Sequence, residues 1–342
     1  MSVRSLDTQH TVGDILVGQP LHWSFSWDRG QADIHATGAA LRNLVLELDD
    51  GSTIRPLAEA PWIGDPAVAT DKEIAAHLRQ LGGEWPCVPF GTTIIDPHHH
   101  GYCTDNDWHV TSQGVGTISL AIDYPATHPI ARLERRISGV PGTAAIDMEL
   151  AVEVRRTCKL PLGLHPIFRL PDKGRLQLDP GAFSRGLTFP KVFEPGVSRL
   201  KLGAEFRSLD TVPLARGGAA DLSELPADLR EEIIQLEAVA GSVGLFYPDG
   251  GHTVRLDWNP VDFPSLVLWL SDCGREAAPW SKRFRGIGVE PVNGYFDDAS
   301  LSSHAPAGVS VGRRFTSGER WSTRYSISAS RFDGGQDKGK AG

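Results

Sequence analysis

"AIDMELAVEVR", residues 145–155, alternates along its length: Ile146, Met148, Leu150, Val152 and Val154 are apolar, with Asp147, Glu149, Ala151, Glu153 and Arg155 between them. A period of two places one set of side chains on a core and the other toward water, as in a half-buried β-strand. The same pattern returns in "HTVRLDW" (252–258), through Val254, Leu256 and Trp258, and in "RWSTRYSIS" (320–328), through Trp321, Thr323, Tyr325 and Ile327. "LVLWL" (266–270) is apolar on both faces and reads as an inner strand.

Reversal signals separate these runs: "DDGS" (49–52), "GVPGT" (139–143), "YPDGG" (247–251) and "TSGE" (316–319). Gly, Asp and Pro supply the backbone angles that tight turns need. Helical pattern is scarce. "TDKEIAAHLRQL" (70–81) opens with Thr70 and Glu73 at capping-box spacing and predicts one short helix, and "PADLREEI" (226–233) predicts another turn or two. Many strands joined by short turns predict an all-β protein, a large antiparallel sandwich, with residues 1–330 as one domain and 331–342 as a disordered tail. The segment 208–230 reads as a long surface excursion near a binding site.

The 342 residues carry a net charge of −8, which argues against nucleic acid or an anionic membrane surface as partner. No apolar run is long enough for a signal peptide or a membrane span, and the four cysteines form no CxxC pair. These features predict a cytoplasmic protein with reduced thiols and leave its oligomeric state open.

Three segments carry groups suited to chemistry. "LPLGLHPIFRL" (160–170) interrupts an apolar run with His165 and Pro166, "DPHHHGYCTDNDWHV" (96–110) holds four histidines, and "GIGVEPVNGYFDD" (286–298) sets Glu290 in an apolar strand. Strand alternation would put His98 and His100 on one face and His99 on the other. His98, His100, Cys103 and His109, with Glu290, offer metal donors, but no dense zinc spacing appears and no metal is expected.

Read together, these segments resemble the aldose 1-epimerases, or mutarotases, of the galactose mutarotase-like superfamily. "GLHPIFRL" is similar to that family's catalytic-histidine signature, "HHGYCTDNDWHV" to its His-Gly segment followed by Trp, "VEPVNG" to its Glu-Pro element, and "GEWPCVPFG" to its Pro-x-x-Pro-Phe entry. The resemblance spans residues 80–295 and implies a β-supersandwich and an isomerase that interconverts the α and β anomers of a free aldose. It implies Glu290 as base, His165 as acid and His100 as a hydrogen-bonding partner of the ring oxygen or a neighbouring hydroxyl, with a monosaccharide as substrate and no cofactor. Trp108, Phe296 and Arg79 are expected to bind substrate, with Trp85, Trp280 and Tyr295 as further aromatic candidates. Two family arginines are missing, at Thr92–Thr93 and near Thr104, and Arg79 or Arg283 would have to replace them. A hexose-phosphate mutarotase, a metal-dependent sugar isomerase or lyase using the His98–His109 loop, and a non-catalytic sugar-binding protein are the competing readings.

Overall fold

The computed structural model describes residues 21–331, so most of the expected C-terminal tail lies outside the described residues. The alternating stretch 145–155 forms the strand Ala145–Val154. It sits inside a nine-stranded antiparallel sheet, between Ile130–Gly139 and the long strand Arg320–Arg331. A second, eight-stranded sheet contains Glu231–Glu237, Ser265–Asp272 and Arg285–Val292 in that order, followed by Gly163–Leu164 and Pro86–Cys87. Four strands from His22 to Ile54 make a third sheet. All strand pairs in these three sheets are antiparallel, as the short turns require.

The two large sheets share one core. Ile146, Met148, Leu150 and Val152 of the nine-stranded sheet belong to the same buried cluster as Leu266, Leu268, Leu270, Ile287 and Val289 of the eight-stranded sheet. The pleat sends the intervening residues of the second sheet to its other face. There Val267, Trp269 and Val292 join a second buried cluster with Trp62, Trp85 and Trp280. "LVLWL" is thus buried on both sides, and Ser265–Asp272 is an inner strand.

The helix expectations change in detail. Thr70 ends a short helix, Pro66–Thr70, instead of starting one. Asp65 caps that helix by accepting from the Ala67 N–H, and a separate turn runs from Ala76 to Arg79 without a side-chain cap. "PADLREEI" forms no helix. Its last residues enter the strand Glu231–Glu237, where pairing on both sides and burial of Ile233 and Ile234 override the helical propensity of the charged residues. The 208–230 excursion does not approach the histidines either. It buries Leu209, Val212, Leu222, Leu225 and Leu229 in the main core, and it lines a separate groove with Arg175 and Arg199.

Candidate active site

The second face of the eight-stranded sheet carries a hollow that gathers His77, His99, His100, His165, Glu290, Asp297 and Arg275. Glu290 belongs to the strand Arg285–Val292, opposite Val267 in register. Alternation turns its side chain away from the shared core, where Ile287 and Val289 point, and toward Trp269. Gly288, two residues earlier, is on the same face, and a Cβ there would lie 2.2 Å from Glu290 Oε1. The carboxyl group therefore lies over a bare stretch of backbone.

His165 stands where the strand breaks. Gly163–Leu164 pairs with Pro86–Cys87, Ile167–Phe168 pairs with Ile287–Gly288, and His165–Pro166 lies between the two ladders. The break fits a proline, which has no N–H to give a ladder. The backbone is still anchored: His165 N–H donates to Trp85 O at 2.9 Å, and Val289 N–H donates to Pro166 O at 3.0 Å. That second bond ties the histidine's neighbour to the glutamate's neighbour. His165 Nε2 consequently lies 3.5 Å from Glu290 Oε1, with both side chains buried.

The "HHH" run is a turn and not a strand, so alternation does not apply. His100 has a left-handed φ of 66° and leads into a short helix, Tyr102–Asp105. His99 and His100 both reach the hollow, whereas His98 is paired with Asp96 at 2.7 Å. His100 is tied twice to Gly91: its N–H donates to Gly91 O, and its Nδ1 accepts from Gly91 N–H at 3.1 Å. An imidazole whose Nδ1 accepts must carry its proton on Nε2, so His100 faces the hollow as a donor. Its ring lies 4.9 Å from that of His165. Gly91 itself, at φ 69°, leaves room for Asp297, whose backbone oxygen would be 2.0 Å from a Cβ.

Burial dominates the electrostatics. Desolvation, and then the neighbouring His77, lower His165 to about 3. Desolvation, and then Asp297, push Glu290 well above the ordinary carboxyl range. His100 is likewise held well below 6.5, first by burial and then by His99 and His165. The two shifts run in opposite senses, so burial favours a proton on Glu290 over one on His165. For both groups burial outweighs the attraction that an imidazolium and a carboxylate would have for each other.

His99, His100 and Asp297 are close enough for a metal, with ligand atoms within 4.8 Å of one another. The donor chemistry does not fit, since the Nε2 proton of His100 leaves that ring no lone pair for an ion. The loop donors named from the sequence disperse: Cys103 Sγ lies against the carbonyls of Pro86 and Val88, and His109 is an exposed strand residue.

Three expected substrate-binding residues are elsewhere. Trp108 is a core residue whose Nε1 donates to Cys103 O at 2.9 Å. Phe296 is buried against Phe189 and Tyr295 and does not line the hollow, and neither does Tyr295. Arg79 donates to Asp71 O outside the hollow, and Arg283 packs over Trp62. Sequence proximity to a motif did not translate into spatial proximity. The walls are instead Trp85, Trp269, Trp280 and Phe193. Trp85 stacks on His165 with ring centroids 4.3 Å apart and planes 14° from parallel. Trp269 Nε1 is buried without a partner. Arg275 sits 4.5 Å over Trp280 and 4.9 Å over Phe193, with Glu231 Oε2 at 3.4 Å and Glu194 Oε2 at 3.9 Å.

No family model matches the sequence, and no curated protein matches it either. Solved structures do. One described as a putative aldose 1-epimerase from Escherichia coli K12 is 15% identical, with a TM-score of 0.61 over 92% of this chain and 100% of that one. The fold is galactose mutarotase-like. A GalM/aldose epimerase homologue from Caenorhabditis elegans (14% identity, TM-score 0.62, 92% and 99% coverage) and a Synechocystis protein (16%, 0.60, 92% and 96%) share it. At such identities the mutarotase-like likeness is one of architecture. It covers 92% of this chain, and among the described residues no helix is long and apolar enough to cross a membrane.

Proposed function

We propose that this protein is an aldose 1-epimerase acting on a free aldose, with Glu290 and His165 as its proton-exchanging pair. The observation that carries the reading is the 3.5 Å approach of a buried imidazole and a buried carboxyl group in an aromatic-walled hollow. O1 and O5 of a pyranose share the carbon C1, so one acid and one base set side by side reach both oxygens.

The cycle balances within the pair. A bound sugar presents its O1–H to the carboxylate and its O5 to the imidazole, and these bonds repay the desolvation of the charged form in which the shared proton sits on His165. The parallel Trp85 ring supports that imidazolium through its π face. Glu290 then takes the O1 proton while His165 gives its proton to O5. The C1–O5 bond breaks and O1 becomes a carbonyl oxygen, with the pair now a neutral carboxyl and a neutral imidazole. That is the form burial favours, so the open aldehyde is held beside the pair in its resting state. After rotation about C1–C2, O5 attacks the other face of C1, returns its proton to His165 and lets O1 recover one from Glu290. His100, with its proton fixed on Nε2, donates to the ring oxygen or a neighbouring hydroxyl throughout.

A free sugar fits better than a phosphorylated one. Arg275 is the arginine lining the hollow, and Glu231 and Glu194 already sit beside it. Polarimetry of freshly dissolved α-aldoses tests the proposal. Faster decay to the equilibrium rotation for at least one free aldose, unchanged by EDTA, is expected. Decay at the buffer rate for every sugar would leave only a binding protein on this fold.

A further inference from the structure

His77 is the feature of the hollow that the pair Glu290–His165 leaves unused. It sits on the turn Ala76–Arg79, and its ring lies 6.0 Å from that of His100 and 6.1 Å from that of His99. Its Nδ1 is 2.8 Å from Asp105 Oδ1, and the same oxygen accepts the His77 backbone N–H at 3.0 Å. Burial opposes ionisation of Asp105, but its bonds to His77 prevail and hold the carboxyl below its ordinary range. A carboxylate can only accept, so Nδ1 is the protonated nitrogen facing Asp105, and the lone pair of the neutral tautomer is on Nε2. That Nε2 is buried and has no partner, on a side chain 5% exposed that lines the hollow. A buried polar atom without a partner calls for an explanation, and on a side chain that lines a hollow a ligand group supplies one.

We infer that His77 is a specificity-determining residue, its Nε2 accepting a hydrogen bond from a sugar hydroxyl away from the anomeric carbon. The inference rests on the epimerase reading of the same site. Its chemistry follows from the two imidazoles facing the hollow in opposite senses. His100 presents N–H and recognises an oxygen acceptor. His77 presents a lone pair and recognises an O–H donor. Asp105 acts through His77 as a positioning residue. The ligand must therefore carry a free hydroxyl at the position His77 meets, so a deoxy, fluoro or O-methyl group there is rejected. A site built to bind a hydroxyl discriminates strongly against the analogue that lacks it, because its own polar atom is then left unpaired.

The test is a cycle of enzyme and sugar. Anomerisation of the preferred aldose and of its singly deoxygenated analogues is followed by NMR for the wild type and for His77→Leu. Expected for the wild type is a fall in kcat/KM of about tenfold or more for one analogue, carried mainly by KM. Expected for His77→Leu is the same loss with the parent sugar and none further with that analogue. A His77→Leu enzyme that still discriminates between the two sugars as the wild type does would overturn the inference. So would a wild type indifferent to every deoxygenation, a result that needs no variant to fold. Wild-type protein that anomerises no aldose defeats the epimerase reading, whereas anomerisation with additive losses defeats the role of His77 alone.

Discussion

His165 Nε2 and Glu290 Oε1 lie 3.5 Å apart although 125 residues separate them in the chain, and the Val289 N–H to Pro166 O bond holds their neighbours together. Removing either partner should have much the same effect on catalysis. Glu290→Gln and His165→Asn are each expected to lower kcat by about 10²–10⁴-fold, and the double variant by little more than the worse single one. Full additivity of the two losses would mean that the groups act in separate steps.

A side chain at Gly288 would displace the Glu290 carboxyl group. The missing Cβ is what leaves Glu290 Oε1 its place, with Trp269 Cβ only 3.3 Å from the same point. Gly288→Ala is expected to reduce kcat by about tenfold or more while the protein stays folded, since a small displacement of a positioned group has costs of this order. Circular dichroism beside kinetics checks it, and an unimpaired kcat would show that the carboxyl group works from another position.

Burial of His165 sets the acid side of the pH profile. An ordinary imidazole near 6.5 would give kcat/KM an acid limb there, whereas His165 is lowered to about 3. The profile is expected to be flat from pH 7 down to pH 5. Stability behaves differently. Between 6.5 and about 3 the unfolded chain takes up a proton that the folded site refuses, so stability falls as pH drops through this window. Glu290 and Glu232 act in the opposite sense over the same range, so the effect of His165 is read from urea midpoints of wild type and His165→Asn at pH 7 and pH 5: the wild type should lose ground to the variant at pH 5 while its own kcat/KM holds.

Glu232 provides a second pH effect, remote from the hollow. Its side chain shares the inner face of its strand with Ile234 and lies among Leu225, Leu268 and Leu270. Burial pushes it up to about 7 against the bonds from the Arg199 and Leu200 N–H groups. As pH rises from about 4.5 to 7 the unfolded chain ionises before the folded one, so stability is lost across that range. Glu232→Gln is expected to stabilise the protein by roughly 1–3 kcal/mol at pH 8 and to have little effect at pH 4. Denaturant unfolding at both values measures it.

The parts of the site carried by pattern were legible in the sequence, and the parts fixed by register were not. Period-two runs identified the strands at 145–154, 252–258, 265–272 and 320–331 because each has a wet face or two dry ones. His165, Glu290 and His100 stood out as polar interruptions of apolar or glycine-bearing motifs. Trp269 looked like any residue of an inner strand. Only its register opposite Gly288 places it beside the carboxyl group. His77 and Arg275 sit in a helical turn and a loop with no motif of their own. The signal for His77 was a histidine on a short amphipathic turn just before the Pro-Phe entry. Trp108 and Arg79 were misplaced because a strand or turn sends neighbouring side chains to opposite sides.

Trp108 tests that correction. Trp108→Phe removes the bond to Cys103 O from the core, and it is expected to cost about 1–2 kcal/mol of stability with KM unchanged. A raised KM at unchanged stability would return this residue to the sugar's surface.

The most direct measurement is saturation transfer between the anomeric proton signals of an aldose at equilibrium, with wild-type protein and with Glu290→Gln. Transfer between the α and β signals that requires the wild type and disappears with the variant is the predicted result. Transfer that is absent with both proteins, or equally fast with both, would contradict the account.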